Sequence, residues 1–162
     1  MQVSFSRTAT KDLRKLPKKD ALALIDKLET YATTGVGDVK KLAGRSEYRL
    51  RHGNYRALFE IENGVLVVRV AHRRHLIDEA RAGDAGAPTL DADTLRLIIM
   101  GDMHPLTAWR KAAGLTAKAL AERTGVRPAT VSDIEKGKID PRYSTVQSLA
   151  RTIGVEAIDI MP

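Results

Sequence analysis

The residues best suited to chemistry are arginines in the first half of the 162-residue chain. In Tyr48-Arg49-Leu50-Arg51 polar and apolar residues alternate. Residues two apart on a strand share a face, so Arg49 and Arg51 point together while Tyr48 and Leu50 point to the opposite, core side. Arg56, and then Arg69 with Arg73 on the last strand-like run, can line the same concavity. Guanidinium groups converging in this way suit a phosphodiester, because each offers a planar fork of donors and a permanent charge. Permanence also limits them, since an arginine stays protonated and is a poor general base. Glu47, in step with Arg49, and His72 and His75 are the candidates nearby for moving a proton. The competing reading is a charged outer sheet face without chemistry, because antiparallel sheets often present one face to water.

Composition narrows the setting. The chain has no cysteine, which removes disulfides and thiolate metal sites, and its four histidines have no metal-ligand spacing; no metal and no cofactor are expected. Residues 1–5 lack the apolar run of a signal peptide, and the apolar burst Leu95 to Met100 contains Arg96 and is far too short to span a bilayer. A reducing, cytoplasmic interior without membrane contact is therefore expected. The net charge of +7 is unevenly distributed: residues 1–81 hold 17 Lys/Arg against 10 Asp/Glu, residues 82–104 hold 1 against 4, and residues 105–162 hold 9 against 6. A first segment this basic points to a polyanionic partner.

The elements that must carry the arginines follow from periodicity. Val3 and Phe5 alternate with polar residues as a short strand, and Ser6 then introduces a helix bearing Leu13 and Leu16. Pro17 ends that helix and opens the next, where Leu22, Ile25, Leu28 and Tyr31 recur at helical spacing until Gly35. From Val39 the period becomes two, with turns at Gly53-Asn54 and Glu62-Asn63-Gly64 separating strands that end near His72. This predicts β-α-α-β-β-β, a helical hairpin on an antiparallel sheet, over residues 1–81. Residues 83–88, small and proline-terminated, form a linker, and residues 82–104 are acidic first and apolar second. From Pro105 to the end, helical patterning broken at Gly114, Gly125, Gly137 and Gly154 predicts an all-α domain of about five short helices.

Within that second domain, Leu115 to Val126 reads as a helix closed by Gly125, and Pro128 to Gly137 as the helix after it. A glycine suits the left-handed residue of the turn, and Leu120, Ala121, Val126, Val131 and Ile134 close the pair on each other. With Trp109-Arg110-Lys-Ala-Ala-Gly-Leu before it and Thr145 to Gly154 after it, the run resembles the Xre/phage-repressor family of helix-turn-helix domains, HigA-like antitoxins included. The resemblance implies that the second helix of the motif enters the major groove of operator DNA. It implicates Arg127, Ala129, Thr130 and Ser132 at base edges and Lys136 and Lys138 at phosphates. Two positions depart from the family: Ala117 stands where glutamine is common, and Asp133 where a basic residue is common.

Lys41 to Ile61, together with Val67 to Arg74, resembles the RelE/ParE toxin superfamily, whose ribonuclease members cleave messenger RNA on the ribosome by attack of a ribose 2′-hydroxyl on the adjacent phosphate. The resemblance implies catalytic positions at Arg49, Arg51, Arg56 and Arg73, with Arg56 stabilising the phosphorane and Arg73 assisting the leaving group. Here arginine replaces the lysine that some members carry at the first two positions, and Ile77 stands where many ribonuclease members have tyrosine.

Together these readings describe a fused toxin–antitoxin chain. The helix-turn-helix half, expected to dimerise, binds and autorepresses an operator and restrains a RelE-like messenger-RNA endoribonuclease whose partners are the ribosome and its message. Residues 89–103 would neutralise by packing on the basic domain, with Leu95, Leu97, Ile98 and Ile99 buried and Asp91 and Asp93 offsetting arginine charge. Two alternatives stay open: a transcriptional regulator whose toxin-like domain is inactive, and a ParE-like toxin that binds gyrase.

Overall fold

The computed structural model describes residues 1–72 and 86–162. Arg73, His75 and Ile77 lie outside the described residues, as do the side chains of Arg69 and His72.

Strand β1 (Gln2–Phe5) runs into helices α1 (Arg7–Lys15) and α2 (Lys18–Thr34). Ser6 starts α1 by accepting the Ala9 N–H at 3.1 Å, satisfying one of the amides a helix leaves unpaired at its start. Pro17, which has no N–H to continue a helix, separates the two and serves as the N-cap of α2. Along α2 the buried residues Ala21, Leu24, Ile25, Leu28 and Ala32 form one stripe, and this stripe faces the sheet.

Four strands follow in an antiparallel meander: β2 (Val39–Lys41), β3 (Tyr48–His52), β4 (Tyr55–Glu62) and β5 (Val65–His72). The β4–β5 turn places Asn63 at φ 50° and Gly64 at φ 76°. Positive φ at both central residues is the primed turn whose twist matches the strands it joins. Beyond β5 lies β1, parallel to it, and then β6 (Leu90–Asp91), antiparallel to β1, giving the order β2-β3-β4-β5-β1-β6. The sequence does not announce β2 or β6, because three and two residues are too few to display a period of two. Helices α1 and α2 cover one face, and between the layers Phe5, Leu13, Leu24, Leu28, Leu50 and Phe59 are fully buried. Tyr48 stacks on Phe59 with centroids 5.5 Å apart.

The second half contains α3 (Ala92–Met100), α4 (Pro105–Ala112), α5 (Ala117–Thr124), α6 (Pro128–Glu135), α7 (Tyr143–Ile153) and α8 (Ala157–Ile160). Trp109, Leu106, Leu120, Val131 and Leu149 are at the centre of its core. Helix α3 belongs to both cores. Ala92, Leu95 and Ile99 recur at helical spacing and complete the first core, while Leu90 and Ile98 join the second. Each buried leucine or isoleucine of this kind contributes about 1.5–3 kcal/mol.

Two details of the link differ from the sequence reading. Leu97 is exposed, because it points half a turn away from Leu95 and Ile99 and meets neither core. Among the described residues, Asp91 and Asp93 do not offset the arginines of the basic domain. Asp91 caps α3 by accepting the Thr94 N–H at 2.8 Å, and Asp93 pairs within the helix with Arg96. Charge runs the other way across this joint: Arg96 of the link reaches Asp26, at 2.6 Å, and Glu29 of α2. Pairing with Glu29 and Asp26 holds the Arg96 guanidinium above its ordinary pKa despite partial burial.

Candidate nucleic-acid interfaces

Strand register decides which arginines meet. Arg51 lies directly opposite Arg56, and Arg49 opposite Leu58, so Arg49, Arg51 and Arg56 share the sheet face turned away from α1 and α2. Arg51 is exposed and Arg49 half-buried. The Arg56 guanidinium donates to the carbonyls of Gly53 (3.0 Å) and Tyr55 (2.9 Å), anchoring it over the β3–β4 turn. Neither Arg49 nor Arg51 has a carboxylate partner among the described residues. Arg73, the fourth arginine of the set, lies outside the described residues.

The rest of that face is graded in charge. Glu47 is buried two residues before Arg49, with its carboxylate 3.7 Å from Arg45, and Glu60 accepts the Ser46 hydroxyl at 2.6 Å. His52 belongs to the other side of β3, where its Nε2 lies 3.2 Å from Asp20 and fastens the strand to α2. The acidic end is thus at one limit of the face and the arginines are at the other.

The second interface is built on α5 and α6. Gly125 ends α5 at φ 72°, a left-handed conformation that costs a side-chain-bearing residue about 1–2 kcal/mol. Arg127 then caps α6, whose Pro128 occupies the first turn where a missing N–H does no harm. Val131 and Ile134 are buried against α5. Arg127, Ala129, Lys136 and Lys138 are exposed, and Thr130 and Ser132 are partly so. Five of the six thus lie on or beside α6, and Lys138 follows just beyond its end. Ala117, the departure at the start of α5, packs against the second core rather than facing outward.

What sequence reading missed are the polar staples that fix these surfaces in place. Arg110 of α4 is almost buried, grips Glu135 at the end of α6 through two nitrogens (2.5 and 3.2 Å), and donates to the Leu115 carbonyl at 2.8 Å. Arg7 of α1 bonds Glu156 at 3.0 Å and Asp159 of α8 at 3.1 Å, and Arg14 donates to the carbonyls of Asp159 (3.2 Å) and Met161 (2.6 Å). Burial raises the Asp159 carboxyl pKa, while the Glu156 N–H and Arg7 pull against that shift. Leu115 apart, these partners lie 25 to 152 residues away in sequence. No local pattern marks such a pairing.

An α+β sheet domain with an arginine face, joined to a helical domain with a helix-turn-helix, defines the class: a toxin-like module fused to a regulator-like one. Residues 3–77 match the ParE toxin family of the parDE type II toxin–antitoxin system, and residues 106–160 match the helix-turn-helix family. Toxin RelE3 of Methanocaldococcus jannaschii is 32% identical over 85 residues, 48% of this chain and 97% of that protein. An uncharacterized HTH-type transcriptional regulator of Methanothermobacter thermautotrophicus is 42% identical over 50 residues, 31% of this chain and 72% of that protein. A chain in the crystal structure of the RelB–RelE antitoxin–toxin complex from Methanococcus jannaschii is 29% identical, with a TM-score of 0.38, over 43% of this chain and 89% of that one. The chain belongs to the RelE/ParE toxin superfamily through its first half and to the helix-turn-helix family through its second. Among the described residues no helix is long and apolar enough to cross a membrane.

Proposed function

We propose that this chain is a single-chain toxin–antitoxin regulator whose two halves act as one body. The helix-turn-helix half binds operator DNA through α6, with Arg127, Ala129, Thr130 and Ser132 at base edges and Lys136 and Lys138 at phosphates. The toxin-like half directs Arg49, Arg51 and Arg56, with Arg73, at RNA, as a messenger-RNA endoribonuclease or as its binding remnant. A homodimer would let two copies of α6 read half-sites about 34–36 Å apart. The exposed Tyr143 and Ile158 beside the α7–α8 groove are the apolar residues available to that contact.

The observation that carries this reading is the joint. Helix α3 is buried in both cores, β6 extends the toxin-like sheet, and Arg7 and Arg14 hold α8. The link enters at the β1 edge, away from β3, so the antitoxin-like half restrains by fixed attachment and bulk, not by covering Arg49 and Arg51. Such a joint also favours the second reading, a regulator with an inactive toxin-like domain, because loss of a separate partner cannot release the toxin half. The full chain and its Arg73→Ala variant, added to ribosomes translating a defined message and expressed in growing cells, test the point. Cleavage lost in the variant supports the endoribonuclease, growth arrest without cleavage supports a gyrase-type target, and neither leaves the regulator. A footprint on the chain's own promoter tests the DNA-binding half.

A further inference from the structure

We infer that the arginine face continues onto the edge strand β2, where Lys40 is a further contact for the RNA backbone. The inference rests on the RNA-directed reading of that face.

Lys40 lies directly opposite Arg49 in the β2–β3 ladder. Its neighbours fix which way it points. Val39 packs against the first core, and Lys41 sits over the Tyr48 ring at 5.8 Å, on the same core side. Alternation along the strand therefore sends Lys40 to the outer face with Arg49, where it is exposed. Lys40 and Arg49 form one rung of cationic side chains, and Arg51 and Arg56 form the next. The rungs are two residues apart along β3, about 6.7 Å at the usual strand rise. That interval is comparable to the step between successive phosphates along one nucleic-acid strand. Lys40 flanks β3 on the β2 side and Arg56 on the β4 side, so the track crosses three strands obliquely. Glu60, held by Ser46, bounds it at the other end, where phosphate would be repelled.

The test is the salt dependence of binding of the full chain to a mixed-sequence single-stranded RNA of about ten nucleotides, within the usual site size of such surfaces. Each phosphate neutralised on a single strand contributes about 0.7 to the slope of log affinity against log salt. Lys40→Gln should flatten the slope by about 0.7, as should Arg49→Gln, and weaken binding equally across sequences. Lys27→Gln, which removes an exposed charge from the helix layer, should leave it unchanged. A slope flattened by Arg49→Gln but not by Lys40→Gln would confine the site to β3 and β4 and overturn this inference alone. Failure of the unmodified chain to bind the RNA would overturn both it and the RNA-directed reading. A slope flattened as much by Lys27→Gln as by Lys40→Gln would mark a general polyanion surface and overturn the assignment of Lys40.

Discussion

Arginine does opposite work in the joint between the two halves and on the outer face of β3. At the joint, Arg7 and Arg96 meet carboxylates across element boundaries, and Arg14 meets backbone carbonyls at the end of α8. Arg110 does the same inside the helical half. On the sheet, Arg49 and Arg51 share a face with no carboxylate partner among the described residues. A paired, buried guanidinium is committed to the fold, and removing it strands a charge. A row of exposed guanidiniums repels itself and contributes to the fold little or nothing, so its use lies in a partner that brings negative charge. Residue type alone does not separate the two roles; partners do.

The sharpest way to break that contrast is Arg110→Ala. Glu135 would remain in a largely buried site without its partner, a loss of about 3–5 kcal/mol for a broken buried pair. Urea denaturation should show a loss in this range, and operator affinity should fall with it because Glu135 ends the recognition helix. A cost under about 1 kcal/mol, typical of an exposed pair, would show the staple to be a surface contact instead.

Leu95→Ala tests whether the halves are one body. Leu95 is fully buried in the first core, and its truncation should destabilise the chain by about 2–5 kcal/mol. Trp109, the one tryptophan, sits in the other core. Its fluorescence should therefore report the same lowered urea midpoint as the far-ultraviolet circular dichroism of the whole chain. A fluorescence transition that stays in place while the dichroism shifts would mean that α3 ties the halves without coupling them.

Arg51→Gln should do the reverse of Arg110→Ala. Its stability change should stay within about 0.5 kcal/mol, the usual range for exposed substitutions away from special features. Binding of single-stranded RNA should fall and its salt slope flatten by about 0.7. A stability loss approaching that of Arg110→Ala would place Arg51 among the structural arginines and remove it from the interface.

Much of this was legible before the structure, for physical reasons specific to each part. The two modules declare themselves through periodicity: α2 repeats its apolar stripe for 17 residues and β4 and β5 run for eight residues each, long enough for the period to show. Gly125 marks the helix-turn-helix because its backbone conformation restricts the residue type. The convergence of Arg49 with Arg56 needed only the short turn between their strands. The joint was legible only in part. That Leu95, Ile98 and Ile99 would be buried follows from their hydrophobicity, but two cores sharing one helix depends on partners far away in sequence. The pairing of Arg96 with Asp26 and Glu29, 70 and 67 residues distant, reverses the charge assignment that the acidic composition of the link suggests. Lys40 escaped notice because a three-residue strand gives no register until its neighbour is known.

The smallest effect expected concerns the start of α4, where the link meets the helical domain. His104 caps α4 by accepting the Leu106 N–H on Nδ1 at 3.1 Å, a role only the unprotonated nitrogen can play. Burial lowers its pKa below the ordinary histidine value; Glu135 of α6 opposes that shift and Arg14 of α1 reinforces it. With the folded pKa depressed, the unfolded chain binds the proton more readily. His104 therefore contributes its full share of stability above the unfolded value of about 6.5 and loses it as pH falls from there through the folded value. The urea midpoint should accordingly decline between about pH 7 and pH 5, and His104→Asn, which keeps a capping oxygen but cannot titrate, should lessen that decline. An identical decline in the variant would mean that the proton is taken up elsewhere, and not by Asp159, whose burial-raised pKa would instead favour the folded chain on acidification. A midpoint that rises on acidification would mean that the pull of Glu135 outweighs burial and Arg14, so that the paired-arginine side of the molecule governs even this histidine.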